Sequence, residues 1–213
     1  MKQVFDLFPT PVIRFTDILS SSELDKLFEK LMKIKTNERD MALLRGRSTY
    51  MERSSWRGNQ ADILSKVGLM EKMQEKVDEY TEHLKLKSLK VGNSWCAIQD
   101  VGGLLKDHIH GDSIVSAVFY VNVDERSSTI VFENPNPVAF FNYENVYKER
   151  VPYTHNFYRI IPEKGDLLMF PSWLRHGCRY NPNQTENRTV ISFNTVREEF
   201  PYGYWFGYGK KEK

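Results

Sequence analysis

The residues best suited to chemistry are two clustered histidines with a nearby acid, a distant histidine and an arginine. His108 and His110 stand two apart in the run His108-Ile109-His110-Gly111-Asp112, and His176 and Arg188 follow much later. Residues two apart in an extended chain project to one face, so His108, His110 and Asp112 can form a row of donors. Two imidazoles and one carboxylate on one side of a metal suit nonheme ferrous iron, with positions left open opposite. Arg188 offers a planar fork that grips a carboxylate through two parallel hydrogen bonds. Zinc hydrolysis and a metal-free polar network use the same residue types and stay open at this point.

Those residues need strands to bring them together, and the later part of the chain is written in strands. After Lys90, short runs rich in Val, Ile, Phe and Tyr alternate with Gly, Asn, Asp and Pro. The expected strands are Ser94–Gln99, Ser116–Val121, Thr129–Phe132, Tyr158–Ile161, Leu167–Phe170, Gly177–Tyr180 and Thr189–Thr195. No dinucleotide glycine fingerprint and no long intervening helices occur, which disfavours a parallel α/β sheet. The pattern predicts a mainly β (α+β) jelly roll with N-terminal amphipathic helices packed outside. In the last strand Arg188, Val190, Ser192 and Asn194 share one face and Thr189, Ile191 and Phe193 the other. A polar face on a central strand is costly unless it lines a solvated or ligand-bearing cavity.

The first part of the chain is helical. Leu24, Leu27, Phe28, Leu31 and Ile34 recur at helical spacing, with Ser22 and Asp25 as a capping box. A second amphipathic helix is expected from Ile63 to Leu84, weakened at Gly68. Phe5 to Phe15, punctuated by Pro9 and Pro11, suits edge-strand pieces. Thr36 to Gln60 is polar and carries Arg39, Arg45, Arg47, Arg53 and Arg57, read as a solvated stretch. The organisation expected is one domain, 1–213: a helical extension over 1–89, a β core over 90–199 and an aromatic, basic tail over 200–213. The tail could dock on the body or on a twin subunit, giving a homodimer.

Bulk properties exclude several classes. Thirty Lys and Arg against 28 Asp and Glu leave a formal net charge of +2, too balanced to imply nucleic acid. No run approaches the ~20 apolar residues that span a bilayer. Cys96 and Cys178 lack a C-x-x-C signature and read as reduced thiols of a cytoplasmic protein.

The same stretches carry a family resemblance. His108-Ile109-His110, Ser113, Ser116-Ala117-Val118-Phe119-Tyr120-Val121, the run from Pro162 to His176, and Arg188-Thr189-Val190-Ile191-Ser192-Phe193-Asn194 resemble a microbial and phage group of iron(II)- and 2-oxoglutarate-dependent dioxygenases, and more distantly prolyl hydroxylases. The resemblance implies a double-stranded β-helix (a cupin-like jelly roll) with Fe(2+), 2-oxoglutarate and O2 as cofactor and cosubstrates. It implies hydroxylation of a peptidyl or small-molecule substrate, with release of succinate and carbon dioxide. His176 matches the distal iron ligand, Arg188 the anchor of the far carboxylate and Tyr120 an aromatic hydroxyl beside it. Ser192 or Asn194 would add neutral contacts to the cosubstrate. Val190 departs from relatives that place a small hydroxyl residue on that face. The general H-x-D pattern gives His110, Asp112 and His176 as ligands, favoured because a carboxylate offsets ferrous charge, with His108 beside them. The closer H-x-H pattern puts His108 in place of Asp112. A three-histidine cupin-like enzyme without 2-oxoglutarate, and a noncatalytic metal-binding or assembly protein, are the alternatives.

Overall fold

The computed structural model describes residues 2–3, 8–36, 43–50, 62–111, 113–136, 148–149, 155–178 and 180–197. The chain forms β1 (Ile13–Phe15), α1 (Ser21–Met32), β2 (Leu43–Ser48), α2 (Ile63–Val67), α3 (Met70–His83) and β3 (Leu89–Leu105). It continues through β4 (Val115–Asn122), β5 (Ile130–Glu133), β6 (Phe157–Ile160), β7 (Leu167–Pro171), β8 (His176–Gly177) and β9 (Arg188–Arg197). A six-stranded sheet has the order β1-β7-β4-β9-β3-β2, and a three-stranded sheet the order β6-β5-β8. Every pairing between these strands is antiparallel. Two such sheets make the jelly roll that the alternating segments predict.

The larger sheet is buried on both faces. Val115, Ala117, Phe119 and Val121 of β4, Leu167 and Met169 of β7, and Ile191 and Phe193 of β9 pack with Leu24, Leu31, Met73 and Val77 of the helices. The alternate residues Val118, Tyr120, Leu168, Phe170 and Val190 pack with Ile130 and Phe132 of the smaller sheet. Period-two alternation therefore sorts each strand between a helix-facing core and the space between the sheets.

Three expectations about the first part are corrected. The capping box of α1 is Ser20 with Glu23, not Ser22 with Asp25: Glu23 Oε2 accepts from Ser20 N at 2.8 Å while Ser20 Oγ accepts from Glu23 N. The single helix over Ile63–Leu84 is two, because Gly68 adopts φ +80° and ends α2 in a left-handed turn that L side chains resist. The polar arginine stretch contains a strand, β2, paired with β3. Its register slips between Leu44 and Gly46 beside Arg45 at φ +49°, which destroys the alternation a sequence reading relies on. At the edges of the larger sheet β1 pairs with β7, in keeping with the edge-strand pieces expected over Phe5 to Phe15, and β2 pairs with β3. Residues 200–213 lie outside the described residues. No described helix is long and apolar enough to cross a membrane.

Candidate metal and cosubstrate site

The histidines are delivered by backbone pairing across a sheet boundary. His108 N donates to His176 O at 2.9 Å, and His176 N returns a bond to His108 O at 3.1 Å. His110 N donates to Ser172 O at 2.9 Å, so the same stretch that carries His176 also holds His110. Gly177 is required beside them: a Cβ there would lie 2.9 Å from both the Cα and the N of Asp107, the residue preceding His108. Ring centres then stand 4.5 Å apart for His108 and His176, 4.9 Å for His108 and His110, and 5.3 Å for His110 and His176. One ring nitrogen from each lies within 4.8 Å of the other two.

Hydrogen bonds fix which nitrogens are free to donate electrons. His108 Nδ1 sits 2.8 Å from Lys106 O, and His176 Nδ1 sits 2.8 Å from Leu174 O. A carbonyl only accepts, so each Nδ1 carries the proton and each Nε2 keeps its lone pair. His110 has Asn194 as a side-chain partner, while its Nε2 is buried with no protein partner. Burial, reinforced by neighbouring His108, pushes the pKa of His110 down to about 4. Burial, then the His108 and His110 charges, holds His176 well below the ordinary histidine value. Both are neutral at neutral pH, the form that binds metal. Donation of the other ring N–H to a carbonyl is also the usual support of a metal-bound imidazole.

Around these rings the contacts are specific. Trp95 stacks on His110 with ring centres 5.9 Å apart, and Tyr50 meets Trp95 edge-on at 5.2 Å. Phe170 meets His176 edge-on at 4.6 Å. Asn194 Oδ1 accepts from Ser116 Oγ at 2.8 Å, and Ser116 Oγ also bonds Ser172 Oγ at 2.8 Å. His110, Asn194, Ser116 and Ser172 thus form a closed polar ring at the top of β4 and β9.

Arg188 opens β9 and belongs to the same cavity of about 240 Å3. It is 7% exposed, and its Nη1 donates to Gln99 Oε1 at 2.7 Å. Its guanidinium carbon lies 5.5 Å from the Tyr120 ring centre, and the two side chains also share a hydrogen bond. Nε is buried with no protein partner, and among the described residues no carboxylate is within ion-pair reach. Burial pushes the Arg188 pKa down from its ordinary value. An internal acid, the plain alternative for a buried arginine, is replaced here by a neutral amide and a phenol.

His108, His110, His176, Tyr120, Arg188, Val190, Ser192 and Asn194 all line this cavity. Asn194 serves His110 and Ser116 rather than Arg188. Asp112 lies outside the described residues, as do Arg39, Arg53 and Arg57. Arg47 bonds Asp100 and Asn187, each at 3.3 Å, and is structural. The sequence reading missed Gln99, Trp95 and Tyr50. Trp95 and Gln99 do alternate along an expected strand, but only the pairing of Gln99 with Arg188 across β3 and β9 gives Gln99 a role.

Residues 93–194 match a family model for 2OG-Fe(II) oxygenases. No curated protein matches the chain in sequence. Among solved structures, HygX from Streptomyces hygroscopicus with nickel and 2-oxoglutarate bound superposes with a TM-score of 0.60 at 13% identity, covering 90% of this chain and 85% of that one. A Pseudomonas putida prolyl-4-hydroxylase gives 0.58 at 14% identity over 90% and 96% of the two chains. The viral collagen prolyl hydroxylase of Paramecium Bursaria Chlorella virus-1 gives 0.53 at 14% over 86% and 94%. The structures share the fold, and the matched stretch holds nearly all of the cavity described above. Over residues 93–194, the stretch that carries the cavity, the chain is similar to the iron(II)- and 2-oxoglutarate-dependent oxygenases.

Proposed function

We propose that His108, His110 and His176 hold the ferrous ion through Nε2, and that Arg188 and Tyr120 receive the far carboxylate of 2-oxoglutarate. The reaction proposed is hydroxylation of a C–H bond in a peptidyl or small-molecule substrate. One observation carries this reading. A single cavity brings together three converging imidazole nitrogens and a buried arginine whose Nε has no protein partner. The donor set fits the cofactor: His110 Nε2 is an orphan that a metal satisfies, and Arg188 Nε an orphan that a carboxylate satisfies.

With iron, 2-oxoglutarate and O2 bound, one oxygen atom enters the substrate and the other leaves in succinate as carbon dioxide is released. The protein's own part is positional. The Leu174 and Lys106 carbonyls hold two rings with Nε2 outward, and Asn194 orients the third. Trp95 and Phe170 wall the rings from water. Tyr50 and Trp95, half-buried beside His110, supply an aromatic flank on which a substrate can rest. Related folds include a prolyl-4-hydroxylase and a HygX complex with hygromycin B, which supports both substrate classes. Buried, unbridged Cys96 and Cys178 support a reducing cytoplasmic setting.

Titrating 2-oxoglutarate into the anaerobic ferrous protein tests the anchor through the charge-transfer absorption of the complex. Arg188→Lys keeps the charge but loses the fork, at a cost of about 2–4 kcal/mol, or roughly 30- to 1000-fold in affinity, with iron binding retained. Equal affinity in both proteins rejects the anchor. The ligand set is tested alongside: His108→Ala should lose iron and Asp112→Ala should keep it. The reverse result restores His110, Asp112 and His176.

A further inference from the structure

We infer that Gln99 positions Arg188 for an anionic cosubstrate by holding the guanidinium without neutralising it; this rests on the anchoring role proposed for Arg188. Gln99 is 2% exposed and lies opposite Arg188 in the β3–β9 register. Its Oε1 accepts from Arg188 Nη1 at 2.7 Å and from Ser128 Oγ at 3.2 Å, while its Nε2 faces Cys178 Sγ at 3.8 Å. Turning the amide over would set N–H groups against the guanidinium, so the oxygen is held toward Arg188. Ser128 comes from the chain just before β5, so the amide is fixed from both sheets.

Charge decides what this arrangement accepts. Among the described residues the groups around the guanidinium are Gln99, the Tyr120 ring and Cys178, and none is a carboxylate. Glutamate at position 99 would orient the arginine as well, with nearly the same length and shape. It would also cancel the positive charge and place a carboxylate beside the one arriving on the cosubstrate. Amide or acid at this position therefore sets whether the pocket takes a 2-oxo acid with a negative far end. Gln99 is a positioning residue, acting through Arg188.

The experiment compares 2-oxoglutarate with 2-oxopentanoate, which has the same carbon count and no far carboxylate, in the anaerobic ferrous protein. Gln99→Glu should weaken 2-oxoglutarate by about 100-fold or more, because like charges in contact cost several kcal/mol, and leave iron affinity unchanged. Its preference for 2-oxoglutarate over 2-oxopentanoate should collapse, and the cosubstrate-free variant should melt no lower than wild type. Gln99→Met keeps the charge and removes the acceptor, so it should bind 2-oxoglutarate about 10-fold more weakly with the preference intact. A Gln99→Glu protein that keeps the wild-type preference overturns the inference. If that variant does not fold, Gln99→Met binding 2-oxoglutarate as tightly as wild type overturns it instead. A weakened Arg188→Lys beside an unaffected Gln99→Glu rejects Gln99 alone, whereas an unaffected Arg188→Lys rejects the anchor beneath it.

Discussion

On the helix side of the larger sheet, β4, β7 and β9 present Ala117, Phe119, Leu167, Met169, Ile191 and Phe193, all buried and all apolar. On the other side the same strands present Val118, Leu168, Phe170 and Val190, and set among them the buried polar groups of Ser116, Tyr120, Arg188 and Asn194. Neighbouring positions on one backbone thus answer to different demands. The first face is satisfied by volume and shape. The second must give every polar atom a partner, and it leaves His110 Nε2 and Arg188 Nε without one. Where a sheet is dry on one side and carries orphaned donors and lone pairs on the other, the second side is where a ligand is expected.

This contrast can be broken most forcefully at Phe119. Its side chain is fully buried among the helices, so Phe119→Ala should cost about 3–5 kcal/mol of stability. Chemical denaturation measures that loss, and the folded fraction should still bind iron. Loss of iron affinity without loss of stability would show that the two faces are not separate. His176→Ala on the opposite side should do the reverse. Iron affinity should fall by more than about 100-fold, beyond the 10- to 100-fold typical of an outer-shell partner, with a near-native circular dichroism spectrum. Unchanged iron binding in that variant would remove His176 from the site.

The smallest effect expected is a pH slope. His110 and His176 are held neutral by burial, with pKa values below the ordinary 6.5. Below pH 6.5 the unfolded chain takes up protons there that the native chain refuses, so stability falls as pH falls. For His110 the loss continues to about pH 4, where the native ring also protonates. Melting the metal-free protein in chelator between pH 7 and 5 should show this decline. Phe119→Ala should shift the curve downward with the same slope, since no histidine sits on its face. A flat wild-type curve would contradict the burial argument.

Much of this is readable in the sequence. The alternation of Arg188, Val190, Ser192 and Asn194 against Ile191 and Phe193 is a local, period-two signal, and the cavity receives the first set as expected. The histidines stood out because few other residue types bind metal. Gln99 did not, since a glutamine on a strand carries no signal until its cross-strand neighbour is known. β2 was hidden for a different reason: Arg45 and Gly46 interrupt its pattern at a slipped register. Glycine at position 68 predicts a weak point of one helix, whereas the left-handed φ of +80° that divides it is set by the fold. Local periodicity is written in the chain, whereas pairing partners are a property of the assembled sheets.

The reciprocal amide bonds between His108 and His176 make the two rings a matched set before anything binds. Their backbone protons should exchange with deuterium slowly even in chelator, as part of the frame that opens only with the sheets. On the ligand set proposed above, emptying and refilling the site would require no refolding of its walls. The rate at which one divalent ion replaces another would then be governed by access and dehydration rather than by rearrangement of the polypeptide.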